Sequence, residues 1–260
     1  MSELAYFSIG WDVGGWNCDK NQRSRDAIVI LNPDLEIMGV PWRGNLRRLI
    51  NDAHTSEEWI SGLFVLCKAD WTPDGSKVVL AIDTPLAFSQ AFTNLAAHGK
   101  QVSQPLAGSH TNPYLYRRTE QMLFAHGLRP LSAVKDMIGS QATKGMHVLA
   151  KFAPYTASCG VWTDGVRLTI FEAYPSACKA SAAVTALRAD YPALGNQDKE
   201  DALICALIAA LFAGQRDTLW GPSEDTPLSE GWIWVPRDVT NHGLRGMISR
   251  HSNVTKEKLQ

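Results

Sequence analysis

The order of apolar segments in this sequence predicts an α/β fold in which helices flank a mixed sheet. The prediction depends on an N-terminal strand, a continuously apolar strand at Lys77–Asp83, and an Ala/Leu/Ile-rich helix at Lys199–Ala213. A strand that is apolar at successive positions is typical of one covered on both faces, and helices on either side of a sheet supply that cover. We expect one large domain over residues 1–240, followed by a polar C-terminal tail at 241–260.

The first part of the chain predicts strands and one helix. Leu4–Asp12 is rich in β-forming residues. The two short apolar runs Ala27–Leu31 and Leu35–Val40 flank the turn sequence Asn32-Pro33-Asp34, which predicts a hairpin. Glu57–Lys68 carries apolar residues at helical spacing, so we expect a helix there.

The second part predicts a long insertion, a fifth strand and the final helix. Pro85 ends the strand Lys77–Asp83, because proline has no N–H group for a strand ladder. The stretch from 84 to about 165 is too long for a bare loop, so we expect a largely helical insertion between the fourth and fifth strands. Its candidate helices are Leu86–His98, Tyr116–His126 and Val134–Ile138. Val166–Tyr174 alternates as a strand and completes an expected mixed sheet of five strands.

Composition and charge exclude several classes of protein. The net charge of −1 and the pI of about 6.6 are unlike those of a basic nucleic-acid binder, so a nucleic-acid partner would need a local basic patch. The five scattered cysteines include no C-x-x-C pair, which favours a reduced, cytoplasmic protein over a disulfide scaffold or a zinc module. We expect no signal peptide and no membrane span, and nothing in the sequence indicates an oligomeric state.

Acidic residues stand where three predicted strands end. Asp12 closes the first strand, Asp83 closes the buried strand, and Glu172 lies near the end of the last one. A charged side chain at the end of an apolar strand is costly unless it is paired, solvated or bound to a cation. One such residue alone is usually a turn or cap residue. Three of them favour a site, because α/β proteins build their sites at strand ends.

The final helix adds two acidic residues. Asp198 and Asp201 are three residues apart and therefore share one helix face. Asp201 leads directly into the apolar stripe, so we expect it where the helix meets the sheet. Asp198 also fits the bland interpretation of a first-turn acid that the helix dipole favours.

Basic residues are concentrated in the insertion. Thr84–Val166 contains seven Lys and Arg against three Asp and Glu, whereas the remainder contains 18 basic and 23 acidic residues. This excess is typical of a phosphate-facing surface and equally of a solvated helix face. Arg117 and Arg118 are the candidate substrate-binding residues, because a guanidinium can bind phosphate with two N–H groups. The late tryptophans Trp220, Trp232 and Trp234 fit base stacking, but core packing explains them better.

Six segments resemble the domain of unknown function 429 family. They are, in order, IGWDVGGW, AIDTPLAF, YRRTEQML, FEAYPS, DKEDALICALIAA and EGWIWVP, and they span about Phe7 to Pro236. The resemblance implies an RNase H-like fold and a nuclease related to the resolvase branch of that superfamily. Trp11 departs from the pattern, because the family usually has a small or aliphatic residue before the first acid.

The resemblance also implies which residues form the site. Its strand acids match Asp12 and Asp83, its Glu before Tyr-Pro matches Glu172, its final-helix pair matches Asp198 and Asp201, and its mid-chain arginine matches Arg117 or Arg118. We therefore expect Asp12, Asp83, Glu172 and Asp201 to be catalytic, with Asp198 as a further metal ligand. Mg²⁺ or Mn²⁺ is the expected cofactor, because hard cations prefer oxygen ligands.

The expected function is metal-dependent phosphodiester hydrolysis of nucleic acid, in which two ions flank the scissile bond. Two alternatives stay open. The segment DVGGW resembles the phosphate loop of sugar kinases and actin-like ATPases, although no second loop of that kind is visible. A nucleic-acid or protein-binding module without turnover would use the same fold.

Overall fold

A computed structural model describes residues 6–106 and 108–239 of the 260-residue chain. Its strands are β1 (Tyr6–Asp12), β2 (Asp26–Leu31), β3 (Trp42–Gly44), β4 (Lys77–Asp83), β5 (Tyr155–Ser158), β6 (Val161–Thr163), β7 (Leu168–Ala173), β8 (Leu219–Trp220) and β9 (Ile233–Pro236). Its α-helices are α1 (Arg47–Asp52), α2 (Ser56–Leu66), α3 (Gln90–His98), α4 (Arg118–Ala125), α5 (Gly139–Phe152), α6 (Pro175–Cys178), α7 (Ala182–Ala189) and α8 (Gln197–Gly214). The expected tail at 241–260 lies outside the described residues.

The strands form a mixed, open sheet in the order β3-β2-β1-β4-β7-β6-β5, and this confirms the predicted α/β class. β1, β4 and β7 run parallel to one another. On one side, β2 pairs antiparallel with β1, and β3 pairs antiparallel with β2. On the other side, β6 pairs antiparallel with β7, and β5 pairs antiparallel with β6. The described residues contain nine strands rather than the expected five. The insertion ends in the hairpin β5–β6, and the late tryptophan segment supplies β8 and β9, of which β9 pairs in parallel with β7.

Helices cover both faces of the sheet. α8 packs against β1, β2 and β4 on one face. On the other face, α2 and α5 pack with Trp59 stacked on Phe152 at 5.1 Å between ring centroids. No helix in the described part of the chain is both long enough and apolar enough to cross a membrane.

Gly10 in β1 lets α8 approach the sheet closely. A Cβ at this position would overlap the carbonyl oxygen of Ala202 and the amide nitrogen of Ala206 in α8. The close approach brings the first turns of α8 to the ends of β1 and β4. The backbone of β1 therefore decides how near the acids of α8 lie to the strand ends.

Two predicted elements differ from the structure. Leu35–Val40 is not a strand: it makes one isolated bridge, Ile37 to Leu31, and the antiparallel partner of β2 is β3. The predicted helix Val134–Ile138 is wrong, because these residues form turns that include Met137 at a φ of 59°. The helix α5 begins only at Gly139, where the backbone returns to helical geometry.

A candidate acidic site at the strand ends

Asp12 and Asp83 lie side by side at the carboxyl ends of two parallel strands. They are register partners across β1 and β4, and both line a cavity of about 180 Å³. Neither carboxylate accepts a hydrogen bond or forms an ion pair within residues 6–106 and 108–239. The hydroxyl of Thr84, which lines the same cavity, is also buried without a hydrogen-bond partner in this part of the chain.

The two carboxyl groups have strongly raised pKa values. Burial, followed by the charges of Asp83 and Asp201, raises the pKa of Asp12 from 3.8 to about 9. Burial, followed by Asp201 and Glu172, raises the pKa of Asp83 from 3.8 to about 7. Like charges change each other's pKa values only when they lie near one another. The structure thus brings together Asp12, Asp83 and Asp201, as the sequence predicts.

Asp201 reaches the site from α8. Its Oδ2 accepts a hydrogen bond from the side chain of Gln197 at 2.9 Å, and its Oδ1 forms an ion pair with Lys179. Lys179 follows α6, and its positive charge partly offsets the rise in the pKa of Asp83. This lysine therefore places a positive charge beside the acidic residues, and the sequence did not single it out.

Asp198 is held differently from Asp12 and Asp83. Its Oδ2 accepts hydrogen bonds from Nε of Arg43 at 2.6 Å and from the backbone N–H of Arg25 at 3.0 Å. Asn196 caps the helix by accepting a hydrogen bond from the Asp198 amide at 3.0 Å. Asp198 thus connects α8 to β3, and it does not line the cavity. Its role as a metal ligand stays a prediction.

Glu172 lines the cavity, but both of its oxygens are engaged. The Arg117 guanidinium donates to Oε1 at 2.7 Å and to Oε2 at 2.8 Å, and the backbone N–H of Leu86 donates to Oε2 at 3.0 Å. Burial raises the pKa of Glu172, and the charge of Arg117 opposes that shift. A metal ion at Glu172 would therefore have to compete with Arg117, which already neutralises this carboxylate.

Arg117 does not face substrate. The side chain is 3% exposed, and its five N–H groups point to Glu172, to Glu120 and to the carbonyl oxygen of Glu230. The prediction that Arg117 binds substrate is wrong for this reason, because no N–H group is left for a phosphate. The side chain of its neighbour Arg118 is 52% exposed and pairs with the exposed Asp225. Substrate binding by Arg118 therefore stays a prediction.

A buried ion pair that the sequence analysis missed supports the end of β1. Asp26 and Lys144 are both fully buried and in contact. Oδ1 of Asp26 also accepts hydrogen bonds from the Trp11 indole at 3.1 Å and from the Gly14 amide at 2.9 Å. The pair therefore holds the chain on both sides of Asp12. Trp11 packs on Trp59 in the core and does not line the cavity.

No protein family, no curated protein and no solved structure matches this chain. The resemblance to the domain of unknown function 429 family therefore remains a prediction. Within the described residues, no three His, Cys, Asp or Glu side chains are already arranged as ligands of one metal ion. The site offers instead an open pair of carboxylates, Asp12 and Asp83, with Asp201 close enough to change their pKa values.

Proposed function

We propose that this protein is a divalent-metal-dependent nuclease of the RNase H-like class. It would hydrolyse phosphodiester bonds of nucleic acid at the acidic site. One observation carries the proposal: Asp12 and Asp83 are register partners at the ends of parallel strands, line one cavity, and have no hydrogen-bond partner in the described chain.

The strand order supports the fold assignment. The core of the sheet runs β3-β2-β1-β4-β7, with an antiparallel pair on one side of β1 and parallel strands on the other. An RNase H-like sheet has this order, with its first acid on the first strand and its second acid on the fourth. Under this assignment, Asp12 on β1 and Asp83 on β4 would take those two positions.

The residues of the site fit a hard divalent cation. Their donor atoms are carboxylate oxygens, and Mg²⁺ or Mn²⁺ keeps several waters and needs only one or two such ligands. Asp12 and Asp83 would hold the ion, because clustered carboxylates without a partner gain most from a bound cation. When bound, such an ion activates water and stabilises the leaving oxygen of a phosphodiester.

The remaining acidic residues would have graded roles. Asp201 would be a further ligand through Oδ1, the oxygen that pairs with Lys179 in the metal-free protein. Glu172 stays neutralised by Arg117 and shapes the cavity wall. Asp198 orients α8 through Arg43.

The test is cleavage of labelled single- and double-stranded DNA and RNA with Mg²⁺ or Mn²⁺. We expect metal-dependent cleavage that Asp83→Asn reduces by about 100-fold or more. Asp12→Ala should abolish Mn²⁺ binding in calorimetry. Asp52→Asn, which changes an exposed acid on α1, is the matched control and should cleave normally.

Other outcomes point to the alternatives. Equal cleavage by wild type and Asp83→Asn would refute the proposed site. Hydrolysis of nucleotides without strand cleavage would favour the kinase-like alternative. Binding of nucleic acid without any turnover would favour the binding module.

A further inference from the structure

A second concave surface lies next to the acidic site. It has a volume of about 550 Å³, and we call it the tryptophan groove; its lining includes Arg118, Gln121, Trp220, Ser223, Trp232 and Arg237. Two pairs of consecutive residues connect it to the acidic cavity. Arg117 binds Glu172 in that cavity while Arg118 lines the groove, and Ile233 lines the cavity while Trp232 lines the groove.

The three late tryptophans have different surroundings. Trp232 and Trp234 are 2% and 4% exposed, which confirms that they belong to the core. Trp220 is only partly buried, and it lines the groove. Its backbone is fixed, because it pairs with Val235 of β9 and its carbonyl oxygen accepts a hydrogen bond from the Trp232 indole at 2.7 Å. The groove therefore has a rigidly mounted aromatic wall.

Two arginines flank this aromatic wall. The guanidinium carbon of Arg237 lies 5.5 Å from the centre of the Trp220 ring. Arg118 is half exposed, and Asp225, its ion-pair partner, is 65% exposed, so solvent screens the pair and a phosphate can compete for the arginine. None of the described residues that line the groove is acidic.

Aromatic rings beside basic side chains are the means by which proteins bind single strands. Bases stack on the ring, and cationic side chains hold the phosphates. The Trp220 ring also contacts the His126 ring, at 5.3 Å between centroids. A base inside a duplex has no free face to offer, so stacking on Trp220 favours an unpaired strand.

We propose that the tryptophan groove binds single-stranded nucleic acid, with a base on Trp220 and phosphates on Arg118 and Arg237. The proposal rests on the proposed function in one respect: the strand bound in the groove is the one that the acidic site cleaves. It also explains why the substrate arginine is Arg118 and not its buried neighbour.

The experiment measures binding without cleavage. Fluorescein-labelled dT10, U10 and a duplex of equal length are titrated in EDTA and followed by fluorescence anisotropy. We expect tighter binding of the single strands, with Kd raised about tenfold in Trp220→Ala and largely restored in Trp220→Phe. Arg118→Ala should weaken binding and lower the slope of log K against log salt by about 0.7.

Asp225→Asn provides a test in the opposite direction. Removing the partner of Arg118 should tighten binding, which a merely structural arginine would not do. Arg48→Ala is the matched control, because Arg48 is also an exposed arginine paired with an exposed aspartate, and its Kd should equal that of wild type. These two variants stay informative if Trp220→Ala fails to fold.

The outcomes separate the two proposals. The proposal that the groove binds single strands would be overturned by wild-type affinity in both Trp220→Ala and Arg118→Ala, or by no binding of single strands. If binding depends on Trp220 but no metal-dependent cleavage occurs, the proposed nuclease function is overturned and the proposed role of the groove is supported.

Discussion

The guanidinium of Arg117 donates one hydrogen bond to each carboxylate oxygen of Glu172, at 2.7 and 2.8 Å. Both side chains are buried, and the same guanidinium also binds Glu120. The pair joins the start of α4, in the insertion, to β7 at the centre of the sheet. This buried ion pair therefore holds the insertion against the sheet at the edge of the acidic cavity.

Loss of Arg117 should destabilise the protein strongly. Arg117→Ala leaves Glu172 and Glu120 buried without a counter-charge, which costs about 3–5 kcal/mol in the free energy of unfolding. Arg117→Lys should also destabilise, because one ammonium cannot replace a guanidinium that serves two carboxylates. Urea unfolding measures both, with the half-exposed Arg118→Ala as the control, at within about 0.5 kcal/mol of wild type. A small effect of Arg117→Ala would contradict this account of the buried network.

The metal-free protein should lose stability as the pH rises. The pKa of Asp12 is raised to about 9 in the fold, so between about pH 4 and pH 9 the folded state binds more protons than the unfolded state. Stability therefore falls as pH increases through that range, and Asp83 adds to the fall up to about pH 7. The melting temperature in EDTA should be lower at pH 8.5 than at pH 5.5.

Asp12→Asn supplies the control for this pH dependence. The variant should flatten the melting profile and raise the melting temperature at pH 8.5 by a few degrees, since about 1 kcal/mol corresponds to roughly 2–4 °C at this size. Mn²⁺ should raise the melting temperature of the wild type but not that of the variant. Identical profiles for the two proteins would show that the carboxylate does not titrate as described.

The buried pair of Asp26 and Lys144 should behave as a unit. Lys144→Met or Asp26→Asn alone is expected to cost about 3–5 kcal/mol, because each leaves a buried polar partner behind. The double variant should cost less than the sum, with a coupling energy of about 1–3 kcal/mol in a double-mutant cycle of unfolding. Strictly additive effects would mean that the pair does not interact. Asp26→Asn should also weaken Mn²⁺ binding, since Asp26 holds Trp11 and Gly14 on either side of Asp12.

Gly10→Ala should affect both stability and the site. The added Cβ would overlap the backbone of Ala202 and Ala206, so α8 must move outward at a cost of about 1–3 kcal/mol. That movement would draw Asp201 away from the strand ends, and Mn²⁺ binding should weaken. Gly214→Ala is the matched control, because a Cβ there meets nothing within 4 Å and should be neutral. Unchanged calorimetry in Gly10→Ala would show that Asp201 does not contribute to metal binding.

Local patterns were sufficient to predict the strand-end acids. Lys77–Asp83 is a strand with the predicted bounds, and Asp12 and Asp83 end adjacent strands as expected. Each prediction depends on an apolar run followed at once by a charge. Such a signal lies within a few residues of the chain and needs no knowledge of distant contacts.

Long-range pairing was beyond the reach of such patterns. Nothing near Lys144 indicates that this lysine, and not Lys151 on the same helix, is buried against Asp26, 118 residues away. For the same reason the adjacent Arg117 and Arg118 looked alike, although one is 3% exposed and the other's side chain is 52% exposed. Two local signals were available. The charged residue Asp26 begins an otherwise apolar, wholly buried strand. Gly160, at a φ of 71°, marks the turn between β5 and β6.

Glu230 ties together three parts of the structure. Its side chain accepts hydrogen bonds from the first amides of α3 and α4, at Gln90 and Arg118, and its carbonyl oxygen accepts one from Arg117. Movement of α3 away from Glu230 would break the bond from Gln90, and movement of α4 would break the bonds from Arg117 and Arg118. Glu230 therefore fixes the position of Arg117, which binds Glu172 in the acidic cavity, relative to Arg118, which lines the tryptophan groove.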